Sequence, residues 1–240
     1  MIEFQGRLIL LDIEGTVSPL AFVHEVMFPY AKEHVESFLT AYGEAPAVQQ
    51  AMEQMARDAG SRSLVEWCPR GEDVHACVVR EVRRLMAADV KATGLKLLQG
   101  LIWEQGFHNG ELRSTLFEDV PDALKNWQTA GMDLRIYSSG SVHAQKLFFT
   151  HTEAGDLTPL FTGYYDTTIG GKRETASYTA IAQDCGMEPQ EILFISDVVE
   201  ELEAARKAGM MTALALRPGN KPAPANDHLS LTSFPQIHCA

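Results

Sequence analysis

The stretch Arg7-Leu8-Ile9-Leu10-Leu11-Asp12-Ile13-Glu14-Gly15-Thr16 passes directly from an aliphatic run to two carboxylates and a glycine. A run that is apolar at every position, not at every second one, reads as a strand covered on both faces, as in a parallel sheet flanked by helices. Gly15 permits a sharp turn at the strand's end. Asp12 and Glu14 then stand at the carboxyl edge, where open α/β sheets bind their ligands.

Downstream of this strand the texture becomes helical. Phe22, Val26, Val35, Phe38 and Leu39 recur at helical spacing across 22–42, with Pro29 breaking or kinking the helix. Residues 45–60, 72–90 and 93–107 read as further helices, the second of these three carrying Cys77 and the last closed by Gly106 after its final turn. No comparable β-branched run intervenes, so residues 18–115 read as a helical insertion of about a hundred residues, the size of a small domain. An alternation of helices and strands then returns. Residues 120–131 form an amphipathic helix, 132–141 a strand running into a small-residue turn, 141–151 a helix, and 162–166 a short strand. Residues 170–186 lead from a loop into a helix, 191–210 give a strand, an acidic turn and a helix, and 211–218 a last strand. The rhythm predicts an α/β protein with a doubly wound, mostly parallel sheet, its core formed by residues 1–17 and 116–240. The tail from Pro218 is rich in Pro, Asn and Ser and reads as loop, with a short ordered segment near Leu229.

Four segments end at the same predicted edge: Asp12 with Glu14, Ser138 with Ser139, Lys172, and Asp197 with Glu200 and Glu201. Phosphoryl transfer needs such a set: a nucleophile, an acid or base, donors for phosphate oxygens and a cation. Asp12 and Asp197 brought close in a low-dielectric cleft repel each other. A divalent cation between them lets both stay ionised, and hard oxygen ligands beside a phosphate favour Mg²⁺. Lys172 adds a second positive charge and holds Asp12 in line.

At these positions the chain resembles the haloacid dehalogenase superfamily. Its first motif, DxDxT, stands here as Asp12-Ile13-Glu14-Gly15-Thr16, its strand-terminal hydroxyl as Ser138, its lysine as Lys172, and its acidic turn as Asp197 with Glu201. The likeness is closer to the enolase-phosphatases of methionine salvage (acireductone synthases). It rests on LLDIEGTVSPLAFVHEVMFPYA, LQGLIWEQGF, IYSSGSVHAQKLFF, TTIGGKRETASY and LFISDVVEELEAA; the glutamate at 14 is that family's residue, and the tail matches least. The resemblance implies a haloacid dehalogenase-like Rossmannoid core with an inserted helical cap domain. It also implies a 2,3-diketo-5-methylthiopentyl 1-phosphate substrate, enolised and then dephosphorylated to the acireductone. Asp12 is the implied nucleophile, passing through an aspartyl-phosphate. Mg²⁺ is implied on Asp12, Asp197 and Glu14 (by side chain or backbone). Ser138, Ser139 and Lys172 are implied to bind substrate. Glu14 and Lys172 are both candidates for the enolisation base, and Glu14 is favoured for its longer reach.

Plainer readings compete at several positions. Glu200 and Glu201 also suit a helix N-terminus on dipole grounds, and Ser138–Ser141 suits a turn with a helix cap. Phe22, His24 and Phe28 fit core packing better than a methylthio pocket, and His108, His143 and His151 lack metal spacing. A signalling receiver shares an acidic pocket, a hydroxyl and a lysine, but its acidic pair comes first and its lysine last. A pure binding module of the same fold would release no phosphate. Over 240 residues the net charge is -12, which argues against nucleic acid or an anionic membrane as partner; the expected partner is a small phosphorylated diketone, bound by a monomer. Cys68, Cys77, Cys185 and Cys239 show no CxxC or zinc spacing and are expected as reduced thiols. The start lacks a signal-peptide pattern, and no apolar run nears the roughly 20 residues of a membrane span. A cytoplasmic protein is expected.

Overall fold

The computed structural model describes residues 1–239. The chain divides into two compact units, Met1–Val23 with Arg113–Ala240, and His24–Leu112.

The first unit is built on a six-stranded parallel sheet. Its strands are β2 (Leu8–Leu11), β3 (Asp133–Tyr137), β4 (Gly163–Tyr165), β5 (Ile192–Ser196), β6 (Met211–Ala215) and β7 (Leu229–Leu231), in the order β4-β3-β2-β5-β6-β7. A separate parallel pair joins the ends of the chain, β1 (Ile2–Phe4) to β8 (Ile237–Cys239). Strand β2 is central, with Leu8 opposite both Asp133 and Ile192. The chain therefore leaves β2 for one flank of the sheet and later returns to the other, and that reversal opens a crevice at the strands' carboxyl ends. Leu8 and Leu10 pack with Tyr178 and Ile181 of α8 (Thr175–Cys185) and Leu202 of α9 (Val199–Lys207). Ile9 and Leu11 alternate to the opposite face and are equally buried. Both faces are thus covered, as the unbroken apolar run requires. The remaining helices of this unit are α6 (Val120–Thr129) and α7 (Val142–Thr150).

The second unit is helical. A π-helical turn, Phe22–Met27, runs straight into α1 (Phe28–Tyr42), and α2 (Pro46–Asp58), α3 (Leu64–Trp67), α4 (Val74–Ala87) and α5 (Thr93–His108) follow. Pro29 follows directly on the π-helical turn, whose irregular hydrogen bonding accommodates the N–H that proline lacks, so the chain stays helical with its irregularity at this point. Val35, Leu39, Met52, Val78 and Leu98 meet in one apolar cluster.

Four details differ from the sequence reading. The helical unit is shorter than 18–115 at both ends. Ser18 donates to the Thr115 carbonyl at 2.8 Å, Ser114 bridges to Thr152, and Phe22 packs edge-on to Phe148, so these residues stay with the sheet. Gly106 lies inside α5, where a Cβ would come within 2.7 Å of the Tyr30 ring; the glycine makes room for a ring and terminates nothing. The ordered segment expected near Leu229 is strand β7, and the tail holds a second strand, β8, that the reading did not include. The cysteines are not all free: Cys68 and Cys77 form a disulfide, while Cys185 and Cys239 are thiols. Cys68 ends α3 and Cys77 lies in the first turns of α4, with a short loop between them. A separation of nine residues spanning a helix end, a turn and a helix start carries no signature in the sequence.

Candidate active site

Asp12 follows β2, and its side chain is 2% exposed. Its Oδ1 accepts from the Ile13 N–H at 2.8 Å and lies 2.6 Å from Lys172 Nζ, while Ser196 Oγ donates to Oδ2 at 3.3 Å. Lys172 reaches this point from the loop before α8, and its Nζ also lies 2.7 Å from Glu201 Oε2. Three hydroxyls hold that loop by its carbonyls: Tyr137 donates to Gly170, Ser177 to Gly171 and Tyr178 to Lys172, at 2.9, 2.8 and 2.6 Å. The lysine is therefore aimed by the backbone beneath it, and the Tyr137 ring lies 5.8 Å from the ammonium.

Ser138 sits where β3 ends and is 1% exposed. Its Oγ accepts from the Gly140 N–H at 3.2 Å and donates to Glu14 Oε2 at 3.3 Å. Buried Gln145 of α7 supports the loop, donating to the carbonyls of Gly140 and Tyr165 at 2.7 and 2.8 Å. Ser139 is exposed on the same loop, and Ser141 is the helix cap, accepting from the Ala144 N–H at 3.2 Å. Asp197 follows β5 and closes on the first turn from the other side. A Cβ on Gly15, whose φ is +73°, would stand 2.3 Å from Asp197 Oδ2. Only glycine lets the two acidic turns come this close.

Asp12, Glu14, Ser138, Lys172 and Asp197 are thus brought to one edge. Glu200 is exposed, whereas Glu201, one residue on, is buried and pairs with Lys172. The acidic turn left both residues open in the sequence; the first turn of α9 points only the second inward. Ser196 was missed. Its Oγ donates toward Asp12 and, at 3.0 Å, Glu201, and accepts from the Val198 N–H at 3.1 Å. The available signal was a hydroxyl at the last position of an otherwise apolar strand.

The electrostatics are lopsided, with four carboxylates around one ammonium. Burial and the nearby Asp12 raise Asp197 and Glu201 each to about 7. The same two causes raise Glu14. Burial works against the Lys172 charge, but Asp12 and Glu201 outweigh it and hold the ammonium above its usual range. A hard divalent cation matches this surplus of oxygen donors, and Gly15 lets Asp197 approach the turn that carries Asp12 and Glu14. The donor set therefore fits such an ion.

A family model for haloacid dehalogenase-like hydrolase matches residues 7–209. Enolase-phosphatase E1 of Synechococcus elongatus is 47% identical over 232 residues, covering 95% of this chain and 96% of its own. The Aquifex aeolicus protein of the same name is 44% identical, covering 96% and 98%, and that of Drosophila mojavensis 42%, covering 98% and 94%. Among solved structures, UTR4 protein of Saccharomyces cerevisiae superposes with a TM-score of 0.80 at 34% identity, covering 96% of this chain and 99% of that one. CbbY of Rhodobacter sphaeroides, at 14% identity and a TM-score of 0.56, shares the fold. With the motif residues gathered at one edge and relatives alike along nearly their whole length, the chain belongs to the enolase-phosphatase E1 family of haloacid dehalogenase-like hydrolases.

Proposed function

We propose that this protein converts 2,3-diketo-5-methylthiopentyl 1-phosphate to 1,2-dihydroxy-3-keto-5-methylthiopentene and phosphate, the acireductone synthase step of methionine salvage. The observation that carries the phosphatase half is the Asp12–Lys172 contact of 2.6 Å at the end of the central strand. It is a buried carboxylate held in one orientation by a fixed ammonium, beside a surplus of acidic oxygens. The substrate rests on the family.

In this reading Glu14 takes a proton from C1 while the C2 carbonyl oxygen takes one up, giving the enol phosphate. Burial and the neighbouring Asp12 raise its pKa, which makes its carboxylate a stronger base, and the hydrogen bond from Ser138 fixes that carboxylate. Asp12 then attacks phosphorus. The P–O bond to C1 breaks and the departing enolate oxygen takes up a proton. Water next attacks the aspartyl-phosphate, which frees phosphate and restores Asp12. Ser138, Ser139 and Lys172 donate to phosphate and diketone oxygens. Mg²⁺ is assigned to Asp12, Asp197 and the backbone carbonyl of Glu14, because the Glu14 carboxylate is turned to Ser138; when bound, it polarises the substrate carbonyl and neutralises phosphate charge. We take the working unit to be a cytoplasmic monomer whose partner is this small phosphorylated diketone, with neither nucleic acid nor membrane. None of the described helices is long and apolar enough to cross a membrane. The Cys68–Cys77 bond weighs against a strongly reducing compartment, and counting thiols in protein from intact cells decides between them.

Two variants separate the two half-reactions. With the diketo phosphate, Asp12→Asn lowers phosphate release by on the order of 10³-fold or more while exchange of the C1 proton with solvent deuterium continues. Glu14→Gln abolishes that exchange. Normal exchange in Glu14→Gln sinks the assignment of the base. Phosphate release from unrelated esters, with no acireductone from the diketo phosphate, points to another phosphatase of the superfamily.

A further inference from the structure

Asn220 lies five residues beyond the end of β6, in the tail. Its Nδ2 donates to the Gly15 carbonyl at 2.8 Å and to the Ala215 carbonyl at 3.2 Å. Both amide hydrogens are thus engaged, one on the turn after Asp12 and one on the end of β6. These contacts fix the orientation of the amide, because the flipped arrangement would press Oδ1 against two carbonyl oxygens. Oδ1 must therefore face away from both.

It faces the acidic edge. Oδ1 is buried and has no hydrogen-bond donor among the described residues. It lies 3.1 Å from where a Cβ on Gly15 would stand, the same point that is 2.3 Å from Asp197 Oδ2. A buried acceptor without a donor is costly, and the carboxylate oxygen that shares this point with it, Asp197 Oδ2, is itself an acceptor. A water molecule is small enough to supply the donor, and water bound to a cation is a stronger donor than bulk water. Losing an outer-shell group that orients the ligands of a metal typically costs about 10- to 100-fold in metal affinity or activity.

We infer that Asn220 is a positioning residue for the cation. Nδ2 holds the Gly15 turn in place, and Oδ1 accepts a hydrogen bond from a water in the cation's coordination shell. This rests on the reading of a Mg²⁺ site at Asp12, Glu14 and Asp197. Neither the first motif nor the acidic turn contains the residue, and a backbone-held amide has no charge signature in the sequence.

The test is Mg²⁺ binding measured by titration calorimetry on the whole protein without substrate. Wild-type protein that binds no Mg²⁺ overturns the cation site and, with it, this inference. Given wild-type binding, Asn220→Ala is expected to weaken the affinity by about 10- to 100-fold. Activity then responds in a split manner: the Mg²⁺ concentration for half-maximal rate rises by a similar factor, while kcat at saturating Mg²⁺ recovers to within a few fold. A purely structural role lowers stability and leaves the Mg²⁺ affinity of the folded fraction alone, so an affinity within twofold of wild type overturns the inference. Wild-type protein gives a second readout if the variant does not fold. The Asn220 side-chain amide resonances should shift on Mg²⁺ addition, saturating with the calorimetric Kd. Unmoved Asn220 resonances, with backbone signals at Asp12 and Asp197 shifting, overturn it as well.

Discussion

Lys172 balances two carboxylates that would otherwise repel each other in a buried place. Removing one partner of such a pair strands the other, which costs roughly 3–5 kcal/mol, whereas removing both charges together costs far less. Lys172→Met should therefore lower unfolding stability by about 3 kcal/mol, and adding Glu201→Gln to it should recover part of that loss. A urea-denaturation double-mutant cycle measures the coupling; additive losses would mean that the 2.7 Å contact between them stabilises nothing. The acidic residues make an opposite prediction about pH. Asp197 and Glu201 titrate near 7 when folded, against roughly 4 in an unfolded chain. The folded state thus binds more protons between those values, and metal-free stability falls as pH rises through that window. In EDTA the urea midpoint should drop from pH 5.5 to pH 8, and Asp197→Asn should flatten the slope. Because a bound cation requires Asp197 ionised, Mg²⁺ binding at pH 6.5 should release protons, visible as a dependence of the calorimetric heat on the buffer's ionisation enthalpy. A midpoint that rises over the same range in EDTA contradicts the assignment.

Elements were legible where their apolar pattern was strong. Helices α1, α2, α4 and α5 bury one stripe each, which period alone reveals, and β2 shows as an unbroken aliphatic run ending in turn residues. Helix α3 has four residues, and β1 and β8 three each, too short to show a period. The pairing of β1 with β8 joins opposite ends of the chain, and nothing local in either strand announces the other. The Cys68–Cys77 bond belongs to the same class. It closes a short loop between α3 and α4, which also carries the Glu72–Arg80 ion pair. Closing a loop of about ten residues contributes roughly 2.5 kcal/mol by restricting the unfolded chain. Two thiols should react with Ellman's reagent in denatured, unreduced protein and four after reduction. Cys77→Ser should lower stability by a similar 2–3 kcal/mol. Four reactive thiols before reduction would return both cysteines to the reduced state that the sequence suggested.

At the scale of the whole molecule, the site is assembled from segments far apart in the chain, yet most of it could be read in advance. Each of Asp12, Ser138 and Asp197 stands where a strand ends, so the topology delivers them to one edge without further information. What could not be read acts through main-chain atoms or through partners remote in sequence: Ser196, Asn220 and, most broadly, Arg217. Arg217 is buried and ties three regions together. Its Nε donates to the Thr16 carbonyl at 3.0 Å, and its NH1 group donates to Asp119 at 2.8 Å and to the Thr232 carbonyl at 3.0 Å. The guanidinium lies between the rings of Phe117 and Phe234, 4.8 and 4.4 Å from their centroids. One side chain thus joins the turn after Asp12, the start of α6 and the tail, a task that needs the planar fork of arginine. Arg217→Met should cost about 3 kcal/mol, since it leaves Asp119 without its countercharge, held only by the Phe234 N–H, and takes the Arg217 donor from two carbonyls. Arg217→Lys should recover only part of this, because an ammonium keeps the charge but cannot fill the stack or reach three acceptors. Urea denaturation of both variants measures the cost. A loss within about 0.5 kcal/mol, the size of an ordinary surface substitution, would show that the tail is not held to the core through this residue, and that β7 and β8 alone bind it there.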